Sequence, residues 1–227
     1  MNSTELTSNR KQLFAAFIWQ HTLLLVSLFI MTLGVALCVR SNLGSSVISS
    51  VPLAFTLAGA EGMSPALSLG DYTNILNVML VVGQIAILRQ RFEVAQLLQL
   101  LIGFVFGVLI DLNMALTSAL VCDTVGLQAL AQAAGCTVLG IGVAFEVRCG
   151  SVTMPGEGLP LAITRVSRLP FAKAKIAVDI TLVVLAIAVC YAFFGRWLWN
   201  VVGPGTLFAM IYVGFVVKYM TQRIGWF

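Results

Sequence analysis

The stretch GVALCVRSNLGSSVISSVPLAFT at residues 34–56 recurs in altered form as GVAFEVRCGSVTMPGEGLPLAIT at residues 142–164. The two stretches align without a gap at an offset of 108 residues. Apolar matches are frequent in so apolar a chain, whereas matches of Arg, Pro and Thr in one register indicate a duplication. We therefore predict two repeats, at about 14–115 and about 128–220.

The composition of the chain excludes an ordinary soluble domain. Of its 227 residues, 59% are hydrophobic and 10% are charged, with a mean hydropathy of +1.00. A soluble domain carries about 25% charged residues, and fewer could not cover its surface. We therefore predict that residues 1–227 form a single all-α integral membrane domain, with the lipid bilayer as its partner.

The same composition excludes several kinds of site. Five scattered cysteines and one histidine, His21, provide neither a disulfide framework nor a metal or haem centre. There is no basic run for nucleic acid, no Gly-rich phosphate loop and no catalytic set. We therefore expect neither an enzyme nor a bound cofactor.

Six apolar runs are long enough to cross a hydrocarbon core of about 30 Å, and two are not. Each short run, at residues 47–60 and 155–167, would form a helix of about 20 Å at about 1.5 Å per residue. The sequence therefore predicts six transmembrane helices and two re-entrant half-helices. The long runs cover residues 14–39, 72–88, 94–115, 128–147, 176–195 and 203–220.

The distribution of lysine and arginine supports this topology. If residues 1–12 form a short cytoplasmic segment and the short helices return to their own side, 11 of the 13 Lys and Arg lie on the inner side. If the short helices cross as well, only 8 do, so the positive-inside rule favours the first arrangement. Three crossings per repeat then invert the second repeat relative to the first and leave both termini cytoplasmic. Inverted-topology repeats are typical of many transporters and are also found in some channels.

A polar strip joins a long helix to a short helix in each repeat. About seven extended residues span about 20 Å, so each half-helix would begin near the bilayer centre. The free N–H groups and positive dipole ends of two such helix starts favour a small polar or anionic solute. The alternative is that both strips are ordinary loops at the membrane surface. The candidate binding residues in the strips and first turns are Asn42, Ser45, Ser46, Ser49, Ser151, Thr153 and Glu157.

The charged residues beside the strips each have two interpretations. Arg40 and Arg148, at equivalent positions, would either attract an anionic solute or anchor helix ends at the interface. Glu157 would either carry a coupling proton or cation, as carboxylates inside membranes do, or merely cap its helix. The other candidates for coupling or gating, which would equally serve as helix caps or structural pairs, are Asp71, Asp179 and Asp111.

Several segments resemble the YczE/YitT-like family of bacterial multi-pass membrane proteins. They are LGVA at 33–36, RSNLGSS at 40–46, MPGEGL at 154–159 and GPGT at 203–206. The resemblance spans nearly the whole chain and implies a location in the bacterial cytoplasmic (inner) membrane. It implies no substrate.

These features favour a secondary transporter of a small polar or anionic solute, or of an ion, bound at mid-membrane between the two half-helix starts. Two alternatives stay open, a channel for a small solute and a non-transporting membrane factor that assists a partner protein. A polar cavity between residues 41–50 and 149–158 would favour transport, and apolar packing there would favour the membrane factor. The sequence leaves open whether the chain forms a homo-oligomer.

Overall fold

The computed structural model describes residues 3–149 and 153–223, with side chains from residue 18 onward. In these ranges the chain forms eight α-helices and two short 3-10 turns, at residues 89–91 and 94–97. The helices are α1 (Ser3–Arg40), α2 (Val47–Ala60), α3 (Leu69–Leu88), α4 (Leu98–Leu116), α5 (Val125–Arg148), α6 (Pro155–Ser167), α7 (Phe171–Phe194) and α8 (Pro204–Arg223).

Six helical segments are long and apolar enough to cross a membrane, with 20 to 24 residues each. Large apolar side chains on them, such as Met79, Leu101 and Ile211, are more than half exposed, as expected for helices that face lipid. The predictions of an all-helical fold and of six long apolar helices are confirmed for the described residues. They indicate a multi-pass membrane protein.

The two short helices begin in the same way. α2 has 14 residues and α6 has 13. Their N-cap residues, Ser46 (φ −64°, ψ 153°) and Met154 (φ −62°, ψ 155°), have nearly identical extended conformations. Pro155 opens α6, where a missing N–H leaves no helical hydrogen bond unmade. Each short helix therefore begins directly after a residue in an extended conformation.

The antiparallel crossing of α1 and α5 lies at the centre of the fold, and two glycines allow it. A Cβ on Gly34 would lie 2.8 Å from the Cα of Leu139. A Cβ on Gly142 would lie 2.7 Å from the amide nitrogen of Met31. Ordinary contacts begin at 3.4 Å, so any larger residue at either position would push the two backbones apart.

The remaining helices pack around this crossing in pairs. α4 lies along α1, and α8 lies along α5. α3 packs against α6, and α2 packs against α7. Each short helix is therefore covered by a long helix from the other half of the chain.

Two arginines bind the ends of these packed helices. Arg40 Nη2 donates to the carbonyl oxygen of Met114 at 2.8 Å, in the last turn of α4. Arg148 Nη2 donates to the carbonyl oxygen of Thr221 at 2.6 Å, in the last turn of α8. Each cation satisfies a carbonyl that a helix end leaves free. We refer to the two ends of the bundle as the Arg40 end and the Arg148 end.

Candidate functional site

The polar strip between α1 and α2 is closed by its own hydrogen bonds. Ser45, Ser46 and Ser49 are at most 2% exposed. The hydroxyl oxygens of Ser46 and Ser49 lie 2.6 Å apart, and Ser45 Oγ donates to the carbonyl oxygen of Val201 at 3.0 Å. Asn42 is exposed and has a left-handed backbone conformation (φ 56°). The buried hydroxyls therefore bond to the protein itself.

The two short helices meet at their N-terminal ends. Ile48 lies in the first turn of α2, and Gly156 lies in the first turn of α6. A Cβ on Gly156 would run into the end of the Ile48 side chain. The two helix starts are therefore neighbours, and their point of contact is apolar.

A polar crevice of about 280 Å³ lies beside α6. Its walls come from the C-terminal part of α3, from residues 93–99 and from one face of α6, and Thr153 also lines it. Because α4 ends at the Arg40 end of the bundle, Gln99 near its start lies toward the Arg148 end. The crevice therefore belongs to the Arg148 half of the protein.

Two buried glutamines form part of the crevice wall. Gln84 and Gln99 are 1% and 3% exposed, and Gln84 Nε2 donates to Gln99 Oε1 at 3.0 Å. Gly158 of α6 lies against this pair, since a Cβ there would be 2.5 Å from Gln99 Oε1. Because α6 packs closely here, the two side-chain amides lie at the edge of the crevice. They offer both hydrogen-bond donors and acceptors to a solute in it.

Four charged side chains gather where α5 ends and where α6 and α7 begin. Lys175 Nζ lies 2.9 Å from Asp179 Oδ1 and 4.0 Å from Glu157 Oε1. Asp179 is buried, while the side chains of Glu157 and Lys175 are 20% and 31% exposed. Glu146 is 4% exposed and interacts electrostatically with Glu157 and Lys175. Three carboxyl groups thus share one ammonium group. We call these four residues the acidic cluster.

Glu146 also fixes the start of α6. Its Oε1 accepts a hydrogen bond from the amide of Met154, the N-cap of α6, at 2.8 Å. Its backbone carbonyl accepts a hydrogen bond from the thiol of Cys149 at 2.9 Å. Oε2 is buried and has no hydrogen-bond partner among the described residues. One oxygen of the Glu146 carboxyl group therefore caps the start of α6, and the other oxygen has no hydrogen-bond partner among the described residues.

Two of the gating candidates stabilise the start of α3. Asp71 is exposed and completes a capping box with Ser68. Asp111 accepts hydrogen bonds from Ser68 Oγ at 2.6 Å and from the Gly70 amide at 2.8 Å. Both carboxylates therefore make the contacts of helix caps.

The predicted binding residues are divided between two places in the described part of the chain. Thr153 and Glu157 flank the start of α6, the first in the crevice and the second in the acidic cluster, where Asp179 joins it. Ser151 lies outside the described residues. Other predicted binding residues form hydrogen bonds with other parts of the protein, outside the crevice and the acidic cluster. They are Arg40, Arg148, Ser45, Ser46 and Ser49.

Sequence reasoning missed Glu146, Lys175, Gln84 and Gln99. Each is a polar residue at the end of, or within, a long apolar run, and such residues are functional candidates by default. Lys175 and Asp179 are also four residues apart, the spacing of a helical ion pair. The signal exists in the sequence, but the convergence of these residues depends on how α3, α5, α6 and α7 pack.

Comparison with protein-family models gives a match over nearly the whole chain. Residues 18–222 match the model of a family described as a family of unknown function, DUF6198. Neither a search of curated proteins nor a search of solved structures found a match. The resemblance to the YczE/YitT-like proteins stays a prediction.

Proposed function

The chain belongs to the DUF6198 family, whose function is unknown, and we propose that it is a secondary transporter of a small polar or anionic solute. The observation that carries the proposal is the polar crevice beside α6, with its buried pair Gln84–Gln99. This crevice is lined by none of residues 41–50, so the solute would bind beside α6 and not between the two helix starts, whose contact is apolar. Ligand pockets measure about 300–1,000 Å³, so a crevice of about 280 Å³ suits a small solute. Arg165 and Glu93, which also line it, provide charges of both signs.

Transport by this fold needs two equivalent halves of opposite orientation, and the central crossing supports that arrangement. Gly34 packs on Leu139, and Gly142 packs on Met31. The two glycines are 108 residues apart, and so are their two partners. The second contact is therefore the first contact with the two repeats interchanged. Such a pair of contacts is expected when two halves are related by a two-fold axis in the membrane plane.

The contact between the helix starts supports the same axis. Ile48 and Gly156 are also 108 residues apart, and they contact each other. A residue meets its own counterpart only on the axis. We therefore place the axis through the starts of α2 and α6, as two re-entrant half-helices from opposite sides would require.

Alternating access follows from the difference between the halves. Thr153 lines the open crevice, whereas its counterpart Ser45 is fully buried in the closed strip. If the two halves exchanged conformations, the crevice beside α6 would close and one beside α2 would open toward the Arg40 end. The acidic cluster at the start of α6 would couple this exchange to a proton or cation.

We further propose that the Arg148 end faces the cytoplasm of a bacterium. α1 begins and α8 ends at this end, so the first and the last described residues lie there. The positive-inside rule supports this orientation, because it leaves most lysines and arginines on the cytoplasmic side.

Transport by the purified protein in liposomes tests the proposal. A thermal-shift screen with inorganic phosphate, sulfate and small amino acids would select the solute, and uptake of its labelled form would follow. We expect saturable uptake and counterflow, lost in Gln99→Leu, altered in ion dependence in Glu157→Gln and retained in the control Gly126→Ala. Non-saturable flux without counterflow would indicate a channel. The absence of flux for every solute would indicate a non-transporting factor.

A further inference from the structure

Glu146 is a buried carboxyl group whose two oxygens have different surroundings. Oε1 accepts the Met154 amide at 2.8 Å, whereas Oε2 is buried without a hydrogen-bond partner among the described residues. An ionised carboxylate distributes its charge over both oxygens and needs donors or water at each. An ionised Glu146 would therefore leave half of its charge unsatisfied inside the protein, which is strongly unfavourable.

The neighbouring charges disfavour ionisation further. Lys175 already bonds Asp179 at 2.9 Å and lies 4.0 Å from Glu157. If all three carboxyl groups were ionised, the single ammonium would leave the acidic cluster with an excess of negative charge. A further negative charge on Glu146 would be repelled by this excess. A proton on Glu146 removes this repulsion.

Further ionisable groups lie on the helices that pack along α5, but they are exposed. They lie toward the Arg148 end of the bundle. The start of α1 is at this end because α1 runs antiparallel to α5, and the end of α8 is there because Arg148 bonds Thr221. These groups are His21, Lys218, Tyr219 and Arg223.

A proton fits this position better than a metal ion. A hard metal cation needs a shell of several oxygen ligands. The described residues contain no group of three or more His, Cys, Asp or Glu that could hold a metal ion. A proton needs one oxygen, and Oε2 is that oxygen. The ammonium of Lys175 also repels any second cation in the cluster.

We infer that Glu146 is the proton-binding site of this protein and that its Oε2 carries the proton in the conformation described here. When the proton leaves, the O–H bond breaks and the proton passes to water. The remaining carboxylate then attracts Lys175 away from Asp179 and Glu157. The cluster therefore has two arrangements, one for each protonation state.

The proton is linked to the crevice through the start of α6. Glu146 Oε1 holds the Met154 amide, and Thr153 and Gly158, on either side of Met154, line the crevice. A displacement of Glu146 toward Lys175 would therefore pull on the wall of the crevice. This coupling role rests on the proposed transport function, whereas the proton site itself rests only on the geometry of Glu146.

Infrared spectroscopy of the full-length protein in lipid vesicles tests the inference, because the C=O stretch of a carboxylic acid is separate from the bands of a carboxylate. At neutral pH we expect such a band in the wild type, its loss in E146Q and its retention in E61Q, which changes an exposed carboxyl group. Glutamine keeps an acceptor for the Met154 amide, and an unchanged unfolding midpoint would show that E146Q is folded.

Two results would overturn the inference. The wild type could lack the band, or E146Q could keep it, and in the second case loss of the band in E157Q would assign the proton to Glu157. Binding of radioactive sodium ion that E146Q abolishes, with no acid band, would assign a metal cation instead. The outcomes for transport are separable. A Glu146 band without transport of any solute would support the proton site and contradict the transport function. Transport without the band would support the transport function and contradict the proton site.

Discussion

Replacement of Gly34 by alanine should force α1 and α5 apart at the centre of the bundle. The new Cβ would lie 2.7 Å from the carbonyl oxygen of Gly135 and still closer to the amide nitrogen of Leu139, and ordinary contact begins at 3.4 Å, so the helices must separate by more than about 0.7 Å. The atoms in the way are backbone atoms, which cannot turn aside as a side chain can. Overpacking of this kind costs about 1–3 kcal/mol. Gly142→Ala, at the counterpart position, should lower the free energy of unfolding by a similar amount.

Equilibrium unfolding in mixed SDS micelles measures this loss. The matched control is Gly126→Ala in α5, where an added Cβ meets nothing within 4 Å. That control should unfold with the wild type or be more stable, because alanine favours a helix over glycine by about 1 kcal/mol. If Gly34→Ala and Gly126→Ala have the same free energy of unfolding, the glycine-dependent crossing is wrong.

Three further changes test other contacts. Arg40→Met removes the hydrogen bond to the Met114 carbonyl and should lower the free energy of unfolding by about 1–3 kcal/mol in the same micelles. Lys175→Met leaves carboxylates unpaired and should destabilise the protein by about 1–3 kcal/mol, since its partial exposure screens the loss. Adding Asp179→Asn should recover part of that loss, and no recovery would contradict the pair. Ala95→Leu, at an exposed position of the crevice wall, narrows the crevice and should lower saturable uptake in liposomes while the protein stays folded.

The long helices could be predicted from the sequence because lipid demands about 20 apolar residues for each crossing. The predicted bounds differ from the structure where polar residues extend a helix beyond its apolar run, as at the end of α8, which continues past residue 220 to Arg223. The apolar run at 72–88 begins three residues after the first residue of α3, because Ser68 and Asp71 form a polar capping box. The run at 176–195 likewise omits the first turn of α7, where Lys173 and Lys175 interrupt the apolar pattern without breaking the helix.

The candidate site could be predicted only in part. The sequence indicates that polar strips precede the short helices, and Thr153 and Glu157 do lie at the site beside α6. The sequence cannot show that the hydroxyl groups of Ser46 and Ser49 bond to each other. Serines that form hydrogen bonds among themselves have the same sequence pattern as serines that bind a solute. The position of Glu146 beside Lys175 depends on the packing of three helices, which no local pattern encodes.

Accessibility of four engineered cysteines tests most directly whether α2 and α6 turn back within the membrane. The native cysteines, all buried, would be replaced, and a membrane-impermeant thiol reagent would be applied to each side in turn. The four positions are exposed. If both short helices return, Asn42→Cys and Glu61→Cys react from one side, and Arg91→Cys and Arg168→Cys react from the other. Joint labelling of Asn42→Cys with Arg91→Cys, and of Glu61→Cys with Arg168→Cys, would mean that both short helices cross and would contradict the inverted halves.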